Sequence, residues 1–449
     1  MSASSTAEDA ALVHDPGTYV AGVPFAALAR LRDGHGIVHV DEPELPGWPE
    51  GTGYWLVLRH GDVKRVMGDA QTFSSAAGGT QIRDPRTPED LAFVRRMMLN
   101  MDPPEHSRLR RMLSRSFTPR AVARLEDRIR GHVADVVGRM LEGPREVDFA
   151  KDVAADLPLL TLADVLGVPR EDRGLLFDWS NRVIGWQDPD YALSADFDPA
   201  TGSDLARQVA PLRPTPGPDG LMPDPRSRAG MPDLYAYAHL LGARRRESPG
   251  DDVMSLVMAQ RDDDGAGVSI EEFENLFWLF AVAGNETLRN GIPGAMAGLL
   301  THPDAQQALR ADPTTIDPAV EELLRWWTPV MTFRRTATRK TEVAGQSIAA
   351  GDKVVVSFIA ANRDPAAYGP DADTLDLRRV ERRGTPAHLS FGHGPHFCLG
   401  AHLARVQMRE LLTAVLAATS SIEPAGDPAL LRSNFQRGVK RLPVRWSPA

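Results

Sequence analysis

The chain carries a single cysteine, Cys398, in 449 residues. A lone thiol excludes an intramolecular disulfide and any zinc site built from several cysteines. No apolar run approaches the roughly 18–20 residues that a membrane span requires. The densest, LFWLFAVAG at residues 276–284, is far too short. The opening MSASSTAEDAALVHDPG lacks the positive region and apolar core of a signal peptide. The expectation is therefore a soluble, cytoplasmic chain with no membrane anchor. Excess positive charge is missing as well, and a formal net charge of −9 argues against nucleic acid as a partner. What remains, at 42% hydrophobic and 25% charged residues, is ordinary globular composition, in a length that one large enzyme domain can reach.

The charge is unevenly spread. Residues 106–130 hold eight arginines against one Glu and one Asp. Such a run is either a solvated helix face or a docking patch for an acidic partner, with Arg108, Arg111 and Arg115 foremost.

Helical periodicity dominates after the first hundred residues. In EEFENLFWLFAVAGNETLRN, Phe273, Leu276, Phe277, Phe280, Gly284 and Thr287 recur at spacings of three and four, one face of a long helix. PAVEELLRWW and LGAHLARVQMRELLTAVLAA read the same way. Strand signals are few: GYWLVLR near residue 55, a hairpin within KTEVAGQSIAAGDKVVVSF, and RLPVRW near the end. The fold class is mostly α with small β-sheets, and no internal repeat is visible. Seven prolines and three glycines crowd residues 211–232, too many for a helix or a central strand. With the residues just before it, this stretch (199–232) is expected to form a Pro-rich lid or loop insertion. Pro293, inside the long helical stretch, predicts a bend there.

The surroundings of the cysteine, FGHGPHFCLG at residues 391–400, suit a metal-ligating thiolate. Gly392, Gly394 and Gly400 let backbone lie close to a flat ligand. A helix beginning just beyond the cysteine would aim amides at the sulfur and temper its donation. A buried structural cysteine in a glycine-rich turn is the plainer alternative. The whole string, however, resembles the haem-binding loop of the cytochrome P450 family (Phe-Gly-x-Gly-x-His-x-Cys-x-Gly) at every fixed position. The resemblance implies the cytochrome P450 fold over the whole chain: a single domain, 1–449, with about residues 1–15 a flexible N-terminus, the long central helix over haem and the cysteine loop on the proximal side. It implies haem b (iron protoporphyrin IX) as cofactor, Cys398 as axial thiolate, Phe391 and Gly392 packed beside the ring, and His396 at a propionate. A thiolate ligand favours O–O cleavage more than an imidazole does.

Other segments carry the same resemblance. AGNET at residues 283–287 looks like the family's oxygen-activation motif. Ala283 and Gly284 would leave room for dioxygen, the Thr287 hydroxyl would hold a water, and Glu286 would link it to solvent protons. Glu322 and Arg325, one turn apart in EELLR, together with Arg379 from TLDLRR, are similar to the family's structural trio, although Leu375 replaces the usual aromatic. DPPEHSRLRR places His106 and Arg110 on one helix face, matching residues that meet a propionate. FRRTATRKTEV puts Arg335 at a second propionate position and leaves Arg334 more exposed.

The resemblance also implies a distal pocket whose lining would include Met97, Met98, Leu99, Phe280, Ala283, Val330, Met331, Phe333 and Phe435, apolar and adaptable. A hydrophobic small molecule follows, with a lean toward members that oxidise steroids, branched lipids and terpenes. The expected activity is a monooxygenase that inserts one atom of O2 into that substrate. Its electrons would come from a ferredoxin and ferredoxin reductase, and so indirectly from NAD(P)H; a monomer is expected. The alternatives are a haem-thiolate tailoring enzyme that desaturates or couples its substrate, a peroxide user, and a non-catalytic haem sensor. The intact Glu286–Thr287 pair disfavours the last two.

Overall fold

The computed structural model describes residues 3–44, 49–85, 87–184, 188, 197–218, 220 and 222–449. Helices make up 56% of it and the sheets are small, as the periodicity predicts. The chain divides into two compact units. One comprises Met1–Asp84, Val133–Ala155 and Thr287–Ala449, the other Pro85–His132 and Asp156–Glu286.

The first unit is built on a five-stranded sheet in the order Ile37–Val40, Tyr54–Val57, Lys353–Ser357, Thr332–Ala337, Phe73–Ser74. All neighbours are antiparallel except the parallel pair Tyr54–Val57 and Lys353–Ser357. Val355 joins one apolar cluster with Leu56 and Val38, while Val354 and Val356 join another with Val57 and Ile37. Alternate residues thus feed two buried faces, which explains the unbroken VVV of this strand. The predicted hairpin is smaller than the sequence suggested. It pairs Thr341–Val343 with Gln346–Ile348, while Lys353–Ser357 goes to the large sheet because both its faces are covered. Ala344 and Gly345 carry the turn, with φ of +48° and +81°. A three-stranded sheet joins Glu146–Asp148, Pro443–Pro448 and Thr419–Pro424, and a short hairpin pairs Ala429–Leu430 with Val439–Arg441.

The N-terminus corrects the expectation of a flexible first fifteen residues: Ala3–His14 is a helix. Ala10 and Val13 are 5% exposed and enter the core cluster with Leu28 and Tyr54. Asp9 accepts from Arg30 Nε at 2.9 Å, and His14 Nδ1 lies 3.3 Å from the Tyr54 hydroxyl. Apolar residues hidden among Ala, Glu and Asp docked the segment.

The second unit is helical. Its elements include Pro88–Val94, Glu105–Ser116, Asp156–Leu166, Arg173–Ile184, Asp204–Val209, Pro232–Glu247 and Val253–Ala259. After Asp204–Val209, the described residues of the Pro-rich stretch are irregular chain and turns between the short 3-10 helices Ala210–Leu212 and Arg228–Gly230. Its start is held by a buried ionic network. Arg213 Nη2 donates to Asp178 (2.8 Å), Arg182 reaches Asp178 (3.2 Å) and Asp233 (2.6 Å), and the Trp179 indole N–H donates to Asp233 (2.9 Å). The arginine-rich run is largely answered from inside the same unit. Arg108 bonds Asp262 and Glu272, each at 2.5 Å, and the Gly267 carbonyl at 3.1 Å. Arg111 and Arg115 lie 3.6 and 3.4 Å from Asp263, and Arg124 and Arg128 face Asp251. The reading of Arg108 as an open docking residue is thereby corrected, because the acidic turn 262–264 already neutralises it.

The helix Ile270–Thr301 is the longest element, and the division between the units falls within it, after Glu286. Its start is written in the sequence as a capping box. The Ser269 hydroxyl accepts from Glu272 N–H (3.1 Å) and Glu272 accepts from Ser269 N–H (2.8 Å). The helix runs unbroken through Pro293. The proline's missing N–H costs one ladder bond. Ile292, Ala295 and Met296, all fully buried, hold the chain helical around it.

Candidate active site

The cysteine loop is fixed by ordinary backbone bonds. Cys398 N–H donates to the Phe391 carbonyl (2.9 Å), Gly392 N–H to Leu389 (2.9 Å) and Phe397 N–H to Gly394 (3.0 Å). Gly392 and Gly394 have φ of +72° and +71°, the region where a Cβ is strained. Gly394 is also tightly packed: a Cβ there would lie 2.5 Å from the Met67 carbonyl oxygen. The helix Ala401–Ala418 begins three residues after the cysteine, with Gly400 as its cap. No residue from Phe391 to Gly400 is buried, and Phe397 is 41% exposed, so the thiol sits on an accessible surface of its unit.

Residues that sequence reasoning missed hold this loop. The Asn362 carboxamide accepts from Leu389 N–H (2.7 Å) and donates to Ser390 Oγ (2.9 Å) and Thr328 Oγ1 (3.0 Å), while Ser390 Oγ donates to the Leu324 carbonyl (2.8 Å). The Phe391 ring lies between the Arg405 guanidinium (4.5 Å) and the His388 ring (5.5 Å). Arg405 and His388 both meet Glu321, at 2.9 and 3.3 Å. Burial pushes the Glu321 carboxyl up, but donation from Arg405 and His388 outweighs it and holds the group at about 2.

Glu322, Arg325 and Arg379 meet, all at most 1% exposed. Arg325 donates to both Glu322 oxygens (2.6 and 2.7 Å), and Arg379 Nε and the Asp376 N–H donate to Oε1 (3.1 and 3.0 Å). Their free N–H groups run to the carbonyls of Asn362, Ala372 and Thr374 for Arg325, and of Tyr368 and Asp371 for Arg379. The trio therefore clamps the stretch 362–376 against the helix Ile316–Trp327.

Arg334 and Arg335 occupy one strand, so their side chains leave opposite faces. The expectation that exposure separates the two is corrected: both are buried, Arg334 at 3% exposed and Arg335 at 2%. Arg334 Nη1 donates to Asp84 (2.7 Å) and to the Ile82 carbonyl (3.2 Å), and this acidic partner explains its burial. Arg335 Nη1 donates to the Arg334 carbonyl (2.8 Å). His396 Nε2 lies 3.2 Å from Ser75 Oγ, a partner no motif announced. In the other unit, His106 is 2% exposed and Arg110 half-buried on the helix Glu105–Ser116.

The middle of the long helix has a distinctive pattern. Ala281, Asn285 and Glu286 are fully buried, and Val282 and Leu288 nearly so. Phe280, Gly284 and Thr287 are half-buried and Ala283 is exposed. These four, at steps of three, one and three, form an accessible stripe in the stretch Asn275–Leu288, whose other residues are buried. Leu162 closes on Gly284, where a Cβ would come within 2.9 Å of its Cδ1. Asn285 donates to Ser180 Oγ (3.1 Å), which donates to the Ala281 carbonyl (2.9 Å), fixing the opposite face.

Among the expected lining residues, Val330, Phe333 and Phe435 come together. Val330 bridges Gln436, and the Phe333 and Phe435 rings stack at 5.9 Å. Met331 is corrected to a core residue: it is 1% exposed and packs in the cluster with Tyr54 and Ile359. Met97 and Met98 are buried and Leu99 is half-buried.

The cytochrome P450 family model matches residues 242–428. The chain is 34% identical to the steroid C26-monooxygenase of Mycolicibacterium smegmatis over 95% of its length and 91% of that protein's. It is 36% identical to the methyl-branched lipid omega-hydroxylase of Mycobacterium tuberculosis over 94% and 90%. In structure it is similar to CYP108D1 from Novosphingobium aromaticivorans, with a TM-score of 0.80 and 31% identity over 99% of both chains. The Mycobacterium marinum cytochrome P450 CYP268A2 in complex with pseudoionone gives 0.78 and 32% over 94% of each. The chain belongs to the cytochrome P450 family, and with it to the enzymes that use haem and O2. It is a cytochrome P450 monooxygenase.

The residues present fit haem. The chain offers one thiol, a soft anionic donor when deprotonated, on an accessible glycine-built loop with two glycines at positive φ, where an ordinary side chain is strained. The long helix offers an apolar stripe of small and aromatic residues. Among the described residues no helix is long and apolar enough to cross a membrane.

Proposed function

We propose that this monooxygenase hydroxylates a bulky, largely hydrophobic small molecule of the steroid or methyl-branched lipid kind. The observation that carries the reading is the accessible stripe Phe280, Ala283, Gly284 and Thr287 within the otherwise buried stretch 275–288 of the long helix. It is apolar apart from one hydroxyl, and the names of the relatives at 34–36% identity point to the same substrate classes. The whole chain acts as one catalytic domain. Cys398 would ligate the haem iron, His106, Arg110, Arg335 and His396 would hold the propionates, and Phe391, Gly392 and Gly400 would contribute to the haem-binding loop. When bound, haem supplies the reduction of O2 and the insertion of one oxygen atom into a C–H bond.

The protein's own groups govern protons and fit. Thr287 would offer its hydroxyl at the stripe, and Glu286 would pass a proton one residue away. Because Glu286 is fully buried, that proton arrives through a relay of polar groups and not straight from bulk water. Met97, Met98, Leu99, Val330, Phe333 and Phe435 complete an apolar lining, in which the stacked Phe333–Phe435 pair favours a flat or extended hydrocarbon. Electrons come from a ferredoxin reduced by a ferredoxin reductase, ultimately from NAD(P)H, and the enzyme works as a cytoplasmic monomer.

The test is a spectral titration of the purified ferric protein with a sterol, a methyl-branched fatty acid and a macrolactone. A shift from low to high spin with the sterol or the branched acid, followed by hydroxylated product with a ferredoxin pair, supports the proposal. A shift with the macrolactone alone refutes the substrate class. Turnover that no ferredoxin supports refutes the electron source.

A further inference from the structure

Away from every residue assigned above, the first unit contains a cavity of about 200 Å³. Its walls include Ala297 of the long helix, Trp326, Trp327, and Leu430 and Val439 of the short C-terminal hairpin. The only charged lining residue is Arg437. Thr301, also in the lining, is exposed, so solvent and solutes reach the cavity.

Arg437 is half-buried and lines this opening, unlike several buried guanidiniums that meet carboxylates. Arg325 and Arg379 share Glu322, Arg182 meets Asp178 and Asp233, and Arg334 meets Asp84. Arg437 has no carboxylate partner among the described residues. Its Nη1 donates to the carbonyls of Trp326 (3.1 Å) and Trp327 (2.9 Å). The guanidinium lies 3.7 Å from the Trp327 ring centroid, 5.5 Å from that of Trp326 and 5.2 Å from that of Phe25. Carbonyls and ring faces orient the cation but supply no opposite charge, so an acidic ligand in the cavity would give it a counter-ion in place of solvent. Burial first, and the neighbouring Arg363 second, push the proton affinity of Arg437 down. An anion beside it would reverse both effects.

The wall that carries Arg437 is preformed. Gln436 accepts from Asn290 Nδ2 (2.9 Å), and a Cβ at Gly438 would come 2.7 Å from Asn290 Oδ1. A ligand would therefore meet a fixed guanidinium and spend little on ordering it. An apolar cavity of about 150 Å³ holds benzene, so this one accommodates a six-membered ring with a short acidic arm.

We propose that this cavity is a second small-molecule site, one that takes an aryl or short alkyl carboxylate. The acid group forms a charge-assisted bond with Arg437, and the apolar body lies against Trp326, Leu430 and Val439. The site stands independently of the haem reading.

The experiment is a ligand-observed NMR titration of the full-length holoprotein with phenylacetate and with phenylacetamide, its neutral isostere. Phenylacetate is expected to bind in the millimolar range or tighter, and the amide at least about tenfold more weakly, since a hydrogen bond to a charged group adds on the order of 1.5–3 kcal/mol. Ala297→Phe fills the cavity and should abolish binding of both, with the circular dichroism spectrum and melting temperature unchanged. Arg437→Lys should weaken phenylacetate by removing the planar fork, and Arg437→Gln should make acid and amide bind alike. If Arg437→Gln does not fold, the acid–amide comparison and Ala297→Phe still decide. Three results would overturn the proposal: no binding up to about 10 mM, equal binding of acid and amide to the wild type, or wild-type binding by Ala297→Phe, which would place the ligand elsewhere.

Discussion

Replacing Glu322 by alanine removes one carboxylate, leaves Arg325 with no acidic partner among the described residues, and leaves Arg379 with Asp371 alone (3.1 Å). Arg325 and Arg379, at most 1% exposed, would lose their only shared counter-ion and three charge-assisted bonds of 2.6 to 3.1 Å, and the Asp376 N–H would lose its acceptor. Breaking a buried ion pair by deleting one partner typically costs about 3–5 kcal/mol, because the charge left behind has neither water nor a mate. The backbone carbonyls that also bind the two arginines keep the loss from exceeding this range. Cooperative unfolding of a chain of 449 residues carries an entropy of about 2.1 cal/mol/K per residue, so the melting temperature should fall by about 3–5 °C. Glu322→Gln keeps the shape and one acceptor, and should lose about half as much, since charge-assisted bonds are about twice as strong as neutral ones. Matched-rate thermal scans and urea midpoints on wild type and both variants measure the effect. A Glu322→Ala variant that melts within about 1 °C of wild type would refute the view that this carboxylate clamps the segment beneath the cysteine loop.

Glu321 gives a pH-dependent counterpart. Its folded value of about 2 lies below the ordinary 4.5, so its stabilisation is fully present above about pH 4.5 and lost as pH falls toward 2. Glu321→Gln should therefore flatten the acid side of a urea-midpoint profile, by at most about 3 kcal/mol, and leave the shape unchanged between pH 6 and 8; an acid limb identical to wild type would remove Glu321 from this role. Gly392→Ala and Gly394→Ala separate strain from packing. The first should cost about 1–2 kcal/mol for its positive φ alone, and the second about 1–3 kcal/mol more because its Cβ meets the Met67 carbonyl; equal losses would contradict the packing account. Thr287→Ala should leave electron consumption in place while product falls and peroxide rises, and an unchanged ratio of product to electrons would dismiss Thr287 from proton handling. Cys398→Ser should abolish the thiolate-type carbon monoxide difference spectrum, and a spectrum like that of wild type would rule out sulfur ligation.

Local features were readable from the chain because their causes are local. The capping box at Ser269 and Glu272, the period of the long helix and the positive-φ glycines around Cys398 all depend on neighbours a few residues away. The errors arose where distant residues decided the outcome. The N-terminal helix became ordered because Ala10 and Val13 found a core built from residues 28–56 and 355–360. Arg334 is buried because Asp84, 250 positions earlier, meets it. Met331 is a core residue because its backbone is bonded to Phe435 and Phe358, beside the apolar cluster it joins, and the arginine run is quenched by a turn more than 140 residues downstream. Asn362, Glu321, Arg405 and His388 stayed invisible for the same reason: a single Asn or His announces nothing until folding places it beside a loop.

By itself, then, the sequence determined the helical class, the one residue able to give a thiolate to a metal, and the acid–alcohol pair on the long helix, since each is a matter of residue type and short-range spacing. Tertiary structure alone decided which arginines are spent on structural ion pairs and which, like Arg437, keep an unanswered charge. Charge compensation depends on separations of a few ångströms between groups far apart in the chain, and only the folded backbone sets those separations.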